Sequence, residues 1–129
     1  MEKYIIVTTL TKDKKVAQTI CDTLLNKNLV AGCQVSKVTS KYWNNGELHF
    51  AQEFKLEFRT VESFFDLVKD QIAELHDYET PEISAVELRD ANDEFLEWIS
   101  QYTAEAYNGE DEEESEEESS YSEDDFGLI

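Results

Sequence analysis

One short segment groups residue types that bind metal ions. His76, Glu79 and Glu82 lie close together in a stretch that the only proline of the chain, Pro81, keeps out of a helix. A neutral imidazole nitrogen and carboxylate oxygens form a ligand set suited to Cu(II) or Zn(II). The alternative is structural, because an imidazolium at His76 would favour the negative end of a preceding helix.

Cysteine provides two further candidate groups, Cys21 and Cys33. A thiolate at Cys33 would bind soft metal ions, whereas a small side chain packed beneath helices explains the same residue without a ligand. Cys21 falls on the apolar side of a helical pattern and is interpreted as a core residue. The two thiols could also form one disulfide, although so few cysteines are consistent with a reducing compartment.

Aromatic and basic residues offer a second kind of site. Trp43 and Tyr78 either line a cleft between subunits or pack an interface. Arg59 and Lys55, near the end of the long strand, are the obvious contacts for an anion. A nucleophile pair of Cys33 and His76 has no supporting pattern. The chain also lacks a glycine-rich phosphate loop and a Gly-x-Ser-x-Gly turn, so we expect no enzymatic activity.

A long β-hairpin over residues 29–59 must position these groups. In its second strand, apolar residues occupy even positions and mostly charged residues occupy odd positions, which predicts one apolar face. The apolar side chains are Leu48, Phe50, Phe54, Leu56 and Phe58. Asn44, Asn45 and Gly46 form the turn signal. A hairpin alone cannot bury such a face, so other elements must cover it.

The flanking segments predict a complete fold. A β-branched run over 5–9 indicates a buried strand, and helical spacing follows over 16–25 and 61–75. Residues 83–88 predict another strand. We expect Thr60 and Asn92 to cap the second and last helices, and the last helix to reach Tyr107.

The resulting order is βαββαβ with a C-terminal helix, which places the chain in the α+β class. This order is typical of the ferredoxin-like split β-α-β sandwich, an antiparallel sheet with two helices on one face. The other face needs a cover, either the last helix or a partner subunit. Unpaired hairpin edges favour strand addition between copies, so an oligomer is expected.

Charge divides the chain of 129 residues into two parts. The net charge is −19, and eleven carboxylates lie within residues 110–125 without any Lys or Arg. We therefore predict one folded domain over 1–107 and an acidic, low-complexity, disordered tail over 108–129. The tail is interpreted as a solubility segment, with a diffuse cation trap or a partner-binding segment as alternatives.

The same charge limits the partners and the location. An acidic body without a basic stripe should repel nucleic acid phosphates and anionic membranes. The longest apolar run near the start is too short for a transmembrane helix or a signal peptide. A cytoplasmic location is therefore expected.

Four collinear stretches resemble motifs of the CutA family of divalent-cation tolerance proteins. They are LHDYETPEI at 75–83, LVAGCQV at 29–35, YWNNGEL at 42–48 and FLEWI at 95–99. The likeness extends from about Lys3 to Tyr102. In this chain Asp77 stands where the family usually has proline. Thr9 and Leu75 stand where some members have a copper-linked cysteine and a second histidine.

The resemblance implies a ferredoxin-like fold and a homotrimer assembled through the long hairpin and the last helix. It also implies weak binding of divalent ions such as Cu²⁺ or Zn²⁺, for which His76, Glu79, Glu82 and Cys33 are the candidate ligands. The family resembles the trimeric PII signalling proteins. The alternative expectation is therefore a PII-like module that binds a small anionic effector or a protein between subunits, near Trp43, Arg59 and Tyr78.

Overall fold

The computed structural model describes residues 2–103. The predicted acidic tail at 108–129 and the predicted extension of the last helix to Tyr107 lie outside these residues. The boundary between the two predicted parts therefore stays a prediction.

Four strands form one antiparallel sheet in the order β2-β3-β1-β4. The strands are β1 (Tyr4–Thr11), β2 (Gly32–Asn44), β3 (Glu47–Val61) and β4 (Ser84–Glu87). The helices are α1 (Lys14–Asn26), α2 (Phe65–Leu75) and α3 (Asp93–Thr103). Because β3 lies between β1 and β2, and β1 lies between β3 and β4, two β-α-β units interleave. The predicted ferredoxin-like fold with a C-terminal helix is confirmed.

Local signals define most element ends. Asp13 caps α1, since the Val16 N–H donates to Asp13 Oδ1 at 3.1 Å. At the hairpin turn, Asn45 (φ 53°) and Gly46 (φ 78°) both adopt the left-handed conformation that a two-residue type I′ turn requires. Thr60 does not cap α2 as predicted. It stays in β3 and its hydroxyl donates to the Leu29 carbonyl at 2.7 Å.

The main core lies between one sheet face and helices α1 and α2. Alternate residues of β1 are buried, and Leu56 and Phe58 of β3 are completely buried on the same side. The largest other members of this core are Ile20, Leu24 and Ile72. Within residues 2–103 no helix is long and apolar enough to cross a membrane.

Helix α3 covers one end of the opposite sheet face. Tyr4 and Gly32 belong to that face by their strand register, and the Tyr4 hydroxyl is 2.7 Å from the Ser100 hydroxyl. A Cβ atom at Gly32 would lie 2.8 Å from the Trp98 ring. Of the two covers considered from the sequence, the last helix therefore occupies this end of the face.

Nothing in the described part of the chain covers the outer half of the hairpin. Leu48, Phe50 and Trp43 are 52%, 65% and 74% exposed. The predicted apolar face of β3 is therefore buried only from Phe54 onwards, where β1 lies alongside it.

Substitution of Gly32 tests the contact with α3. We expect Gly32→Ala to lower the free energy of unfolding by about 1 kcal/mol and to move the Trp98 ring outwards, because the added methyl group has no room. Urea unfolding and Trp98 fluorescence in a Trp43→Phe background measure the two effects. In a Trp98→Leu background, Gly32→Ala should no longer lower the free energy of unfolding. Equal stabilities of Gly32→Ala and the parent protein would show that the contact carries no constraint.

Candidate functional site

A pocket of about 620 Å³ opens where the hairpin leaves the body of the sheet. Its walls come from the end of β1, from β2 and β3, and from the loop that joins α2 to β4. Four predicted site residues line it: Trp43, Tyr78, Glu79 and Glu82. A larger and more open hollow beside β4 contains none of the predicted site residues.

The end of β1 creates this pocket. Thr11, the last residue of β1, pairs with Phe54, so the next residue outwards on β3, Glu53, has no β1 neighbour. The Tyr78 side chain lies next to Glu53 instead, and its hydroxyl donates to Glu53 Oε2 at 2.6 Å. The Ser40 hydroxyl, from the partner strand, donates to Glu53 Oε1. Glu53 is only 9% exposed, although the alternating pattern placed it on the solvent side.

This environment changes the acidity of Tyr78. Burial raises the pKa of Tyr78 above its ordinary value, and the hydrogen bond to Glu53 raises it further. The Tyr78 phenol therefore remains protonated at neutral pH and continues to donate its hydrogen bond to Glu53. Sequence reasoning missed Glu53 as a pocket residue. The one available signal was the position of this glutamate on β3, at the boundary between the buried and the exposed half of the strand.

The His76 side chain also attaches this loop, and that side chain is completely buried. Its Nε2 lies 2.9 Å from the Leu10 carbonyl, and the Tyr78 N–H donates to its Nδ1 at 3.1 Å. Because a carbonyl oxygen only accepts, Nε2 is the donor of this hydrogen bond, while Nδ1 also lies 3.4 Å from Asp77 Oδ1. Both nitrogens are thus engaged, and metal ligation would require the loss of one of these hydrogen bonds. His76 is the C-cap residue of α2, as the alternative expected, because its backbone N–H donates to the Ile72 carbonyl at 2.9 Å, whereas its ring bonds to Leu10 of β1.

Asp77 adds a second link between the loop and β1. The Thr11 hydroxyl donates to Asp77 Oδ1 at 3.0 Å and also accepts the Asp13 N–H at 3.1 Å. Asp77 stands where the resembled motif has proline. The carboxylate therefore provides, through a hydrogen bond, a restraint on the loop that is different in kind from a proline ring.

Cys33 lies away from the pocket. It is half-buried on the face of β2 that packs against α1, and its Sγ is 2.9 Å from the Cys21 Sγ. In residues 2–103, no three His, Cys, Asp or Glu side chains converge in an arrangement that could hold a metal ion. His76, Glu79, Glu82 and Cys33 are therefore not assembled as one ligand set in the single chain, and their metal ligation stays a prediction.

Arg59 also lies outside the pocket. It pairs with Gly32 across the sheet, and its guanidinium donates to the Glu57 carbonyl at 3.4 Å. The pocket instead carries three carboxylates, Glu53, Glu79 and Glu82, against one ammonium group, Lys12. This acidic lining favours a cation over an anion. The expectation of an anionic effector between Trp43, Arg59 and Tyr78 stays a prediction that the pocket charge does not support.

Comparison with known proteins places the chain in a family. The profile described as CutA1 divalent ion tolerance protein matches residues 5–102. The chain belongs to the CutA1 family. The divalent-cation tolerance protein CutA of Thermus thermophilus is 33% identical over 104 residues, which are 80% of this chain and 99% of that protein. CutA of Pyrococcus horikoshii is 30% identical over 99 residues, with 77% and 97% covered.

Solved CutA1 structures have the same fold. The crystal structure of CutA1 from Ehrlichia chaffeensis matches with a TM-score of 0.75 at 28% identity, over 81% of this chain and 98% of that chain. CutA1 from Pyrococcus horikoshii matches with a TM-score of 0.75 at 29% identity, with 78% and 99% covered. The predicted resemblance is confirmed. Two of the motifs that carried it, residues 42–48 and 75–83, contribute walls of the acidic pocket.

The Tyr78 phenol provides a test of the pocket geometry. Its pKa should exceed the usual value of about 10, so its contribution to stability is fully present below that pH and is lost as the pH rises through its higher folded pKa. The difference in tyrosinate absorbance between the wild type and Tyr78→Phe isolates this titration. Tyr102→Phe, which removes a half-exposed ring, is the control. A Tyr78 difference titration centred at or below pH 10 would contradict the hydrogen-bonded arrangement.

Proposed function

We propose that this CutA1 protein is a non-enzymatic, cytoplasmic homotrimer that binds divalent metal ions weakly in the acidic pocket at the base of its hairpin. The observation that carries the proposal is the acidic lining of one pocket, to which Glu53, Glu79 and Glu82 contribute carboxylates against the single ammonium group of Lys12. The chain that forms this pocket belongs to a family described by divalent ion tolerance. Carboxylate oxygens bind divalent ions such as Zn²⁺, and Cu²⁺ has the highest affinity of the common divalent metals for such sites.

The same geometry explains why the binding is weak. Both oxygens of Glu53 already accept hydrogen bonds from Ser40 and Tyr78, so only its remaining lone pairs are free for a cation. Glu79 and Glu82 line the pocket from the loop, and one oxygen of Glu82 already accepts a hydrogen bond from the Ser84 hydroxyl at 2.7 Å. The ion is therefore cargo held by charge and a few oxygen ligands, and a neighbouring subunit can complete its coordination.

Two features of the hairpin support self-assembly. Leu48, Phe50 and Trp43 form an exposed apolar surface on its outer half, and exposed apolar surface of this kind marks an interaction site. Strand β2 is also an edge of the sheet, with backbone groups on one side that no strand within residues 2–103 pairs. An identical hairpin offers both the apolar surface and the strand that these features require.

Charge removal in the pocket tests the metal site. We expect Glu79→Gln combined with Glu82→Gln to weaken Cu²⁺ and Zn²⁺ binding at least about tenfold, or about 1.4 kcal/mol, because two oxygen anions are lost. Quenching of Trp43, which lines the pocket, reports the titration. The control is Glu94→Gln combined with Glu97→Gln on α3, with the same change in net charge. Equal affinities of the two double variants would reject the pocket as the binding site.

A charged residue on the outer hairpin tests the assembly. Phe50→Asp should lower the solution mass from three chains to one chain of 15.0 kDa, because a carboxylate would be buried without a partner. Val86→Asp is the matched control, since Val86 is 62% exposed on the opposite edge strand and Phe50 is 65% exposed. Sedimentation equilibrium measures both masses. A trimer that persists in Phe50→Asp, or is lost in Val86→Asp, would place the interface elsewhere.

A further inference from the structure

We propose that Cys21 and Cys33 form a reversible thiol–disulfide site for peroxides, in which Cys33 reacts first and Cys21 completes the bond. The two sulfur atoms lie 2.9 Å apart, and both residues are free thiols. Cys21 belongs to α1 and Cys33 to the start of β2, so the bond would join the helix layer to the sheet. The site is separate from the acidic pocket and does not depend on the proposed metal binding.

The two thiols differ in their access to solvent, and this difference sets their order of reaction. Cys33 is half-buried on the edge strand β2, whereas Cys21 is only 3% exposed within the core. A small oxidant therefore reaches the Cys33 sulfur first. The hydrogen bond with Cys33 and burial both raise the pKa of Cys21, which keeps Cys21 as an unreactive thiol until its neighbour is oxidised.

The reaction balances with one peroxide. The Cys33 sulfur attacks a peroxide oxygen, the O–O bond breaks, and one water leaves as Cys33 becomes a sulfenic acid. The Cys21 sulfur then attacks the Cys33 sulfur, the S–O bond breaks and the S–S bond forms. The hydroxyl group leaves as a second water with the Cys21 proton. Two thiols are oxidised and hydrogen peroxide is reduced to two waters, and an external dithiol reverses the change.

The position of the pair distinguishes this site from ordinary core packing. Two buried thiols without access to an oxidant stay inert. Here one of the two lies at a sheet edge, and its resolving partner is already in contact with it. The bond would close a short loop around the turn after α1, where Asn28 adopts a left-handed conformation (φ 55°). Such a loop restricts the unfolded chain, so the oxidised form should be the more stable one.

The test uses the full-length protein exposed to hydrogen peroxide, with the remaining thiols alkylated after denaturation. Because the chain has only two cysteines, loss of both alkylation sites in a single-chain species identifies the bond. We expect both sites to disappear and to return after treatment with dithiothreitol. The melting temperature of the oxidised form should rise by about 5 °C or more. Two thiols that remain alkylatable in the wild type, or a bond between chains, would overturn the proposal.

Two variants separate the roles of the thiols. In Cys21→Ser, oxidation should stop at the Cys33 sulfenic acid, which dimedone traps, since no resolving thiol is present. In Cys33→Ser, Cys21 should remain alkylatable after the same treatment, because it is shielded from the oxidant. Rapid loss of Cys21 in that variant would contradict the assigned order. The wild-type measurement remains decisive if either variant folds poorly.

Discussion

The unequal length of the strands that flank β3 is the constraint on which the rest of the molecule depends. β2 pairs with β3 from Glu47 to Arg59, whereas β1 pairs with β3 only from Phe54 to Val61, because β1 stops at Thr11. On one side of this point, β3 is a central strand with a buried face; on the other side it belongs to a two-stranded ribbon. A ribbon of two strands cannot bury its own side chains. The core, the pocket and the exposed apolar surface all follow from where β1 ends.

The loop between α2 and β4 packs beside β3 just beyond the point where β1 ends. Three consecutive residues attach it: His76 to the Leu10 carbonyl, Asp77 to the Thr11 hydroxyl, and Tyr78 to the Glu53 carboxylate. Polar groups that leave water need hydrogen-bond partners, and here the partners are the last two residues of β1 and Glu53 in the middle of β3. The loop has no regular secondary structure, yet these contacts fix its path and orient Glu79 and Glu82 towards the pocket.

Sequence reasoning succeeded where the signal is local. The Asn45-Gly46 turn, the alternation of Leu56 and Phe58, and the helical spacings determine neighbours along the chain, and together they predicted the topology. It was less informative where partners come from distant segments. Neither the burial of Glu53 nor the engagement of both His76 nitrogens is visible in a periodicity, because each depends on a residue at least 25 positions away.

The predicted site residues separate for the same reason. Cys33 and Glu79 were grouped as candidate metal ligands, but Cys33 pairs with Phe58 on the helix side of the sheet, and Glu79 lines the pocket with Glu53 on the other side. Arg59 shares the face of Glu53, yet six positions along β3 place it roughly 20 Å away. Strand parity assigns a residue to a face, but the position along the strand decides which site it joins.

The ribbon connects the pocket to the proposed assembly. Tyr42 and Trp43 line the pocket, and they lie on the ribbon segment whose apolar surface is proposed to contact other copies. A neighbouring subunit that orders this segment also fixes the positions of Tyr42 and Trp43 in the pocket lining. Binding of a cation and association of subunits then act on one set of side chains, and thermodynamic linkage requires each to change the equilibrium constant of the other. Weak carboxylate ligation in one chain is therefore compatible with tighter binding in the assembled protein.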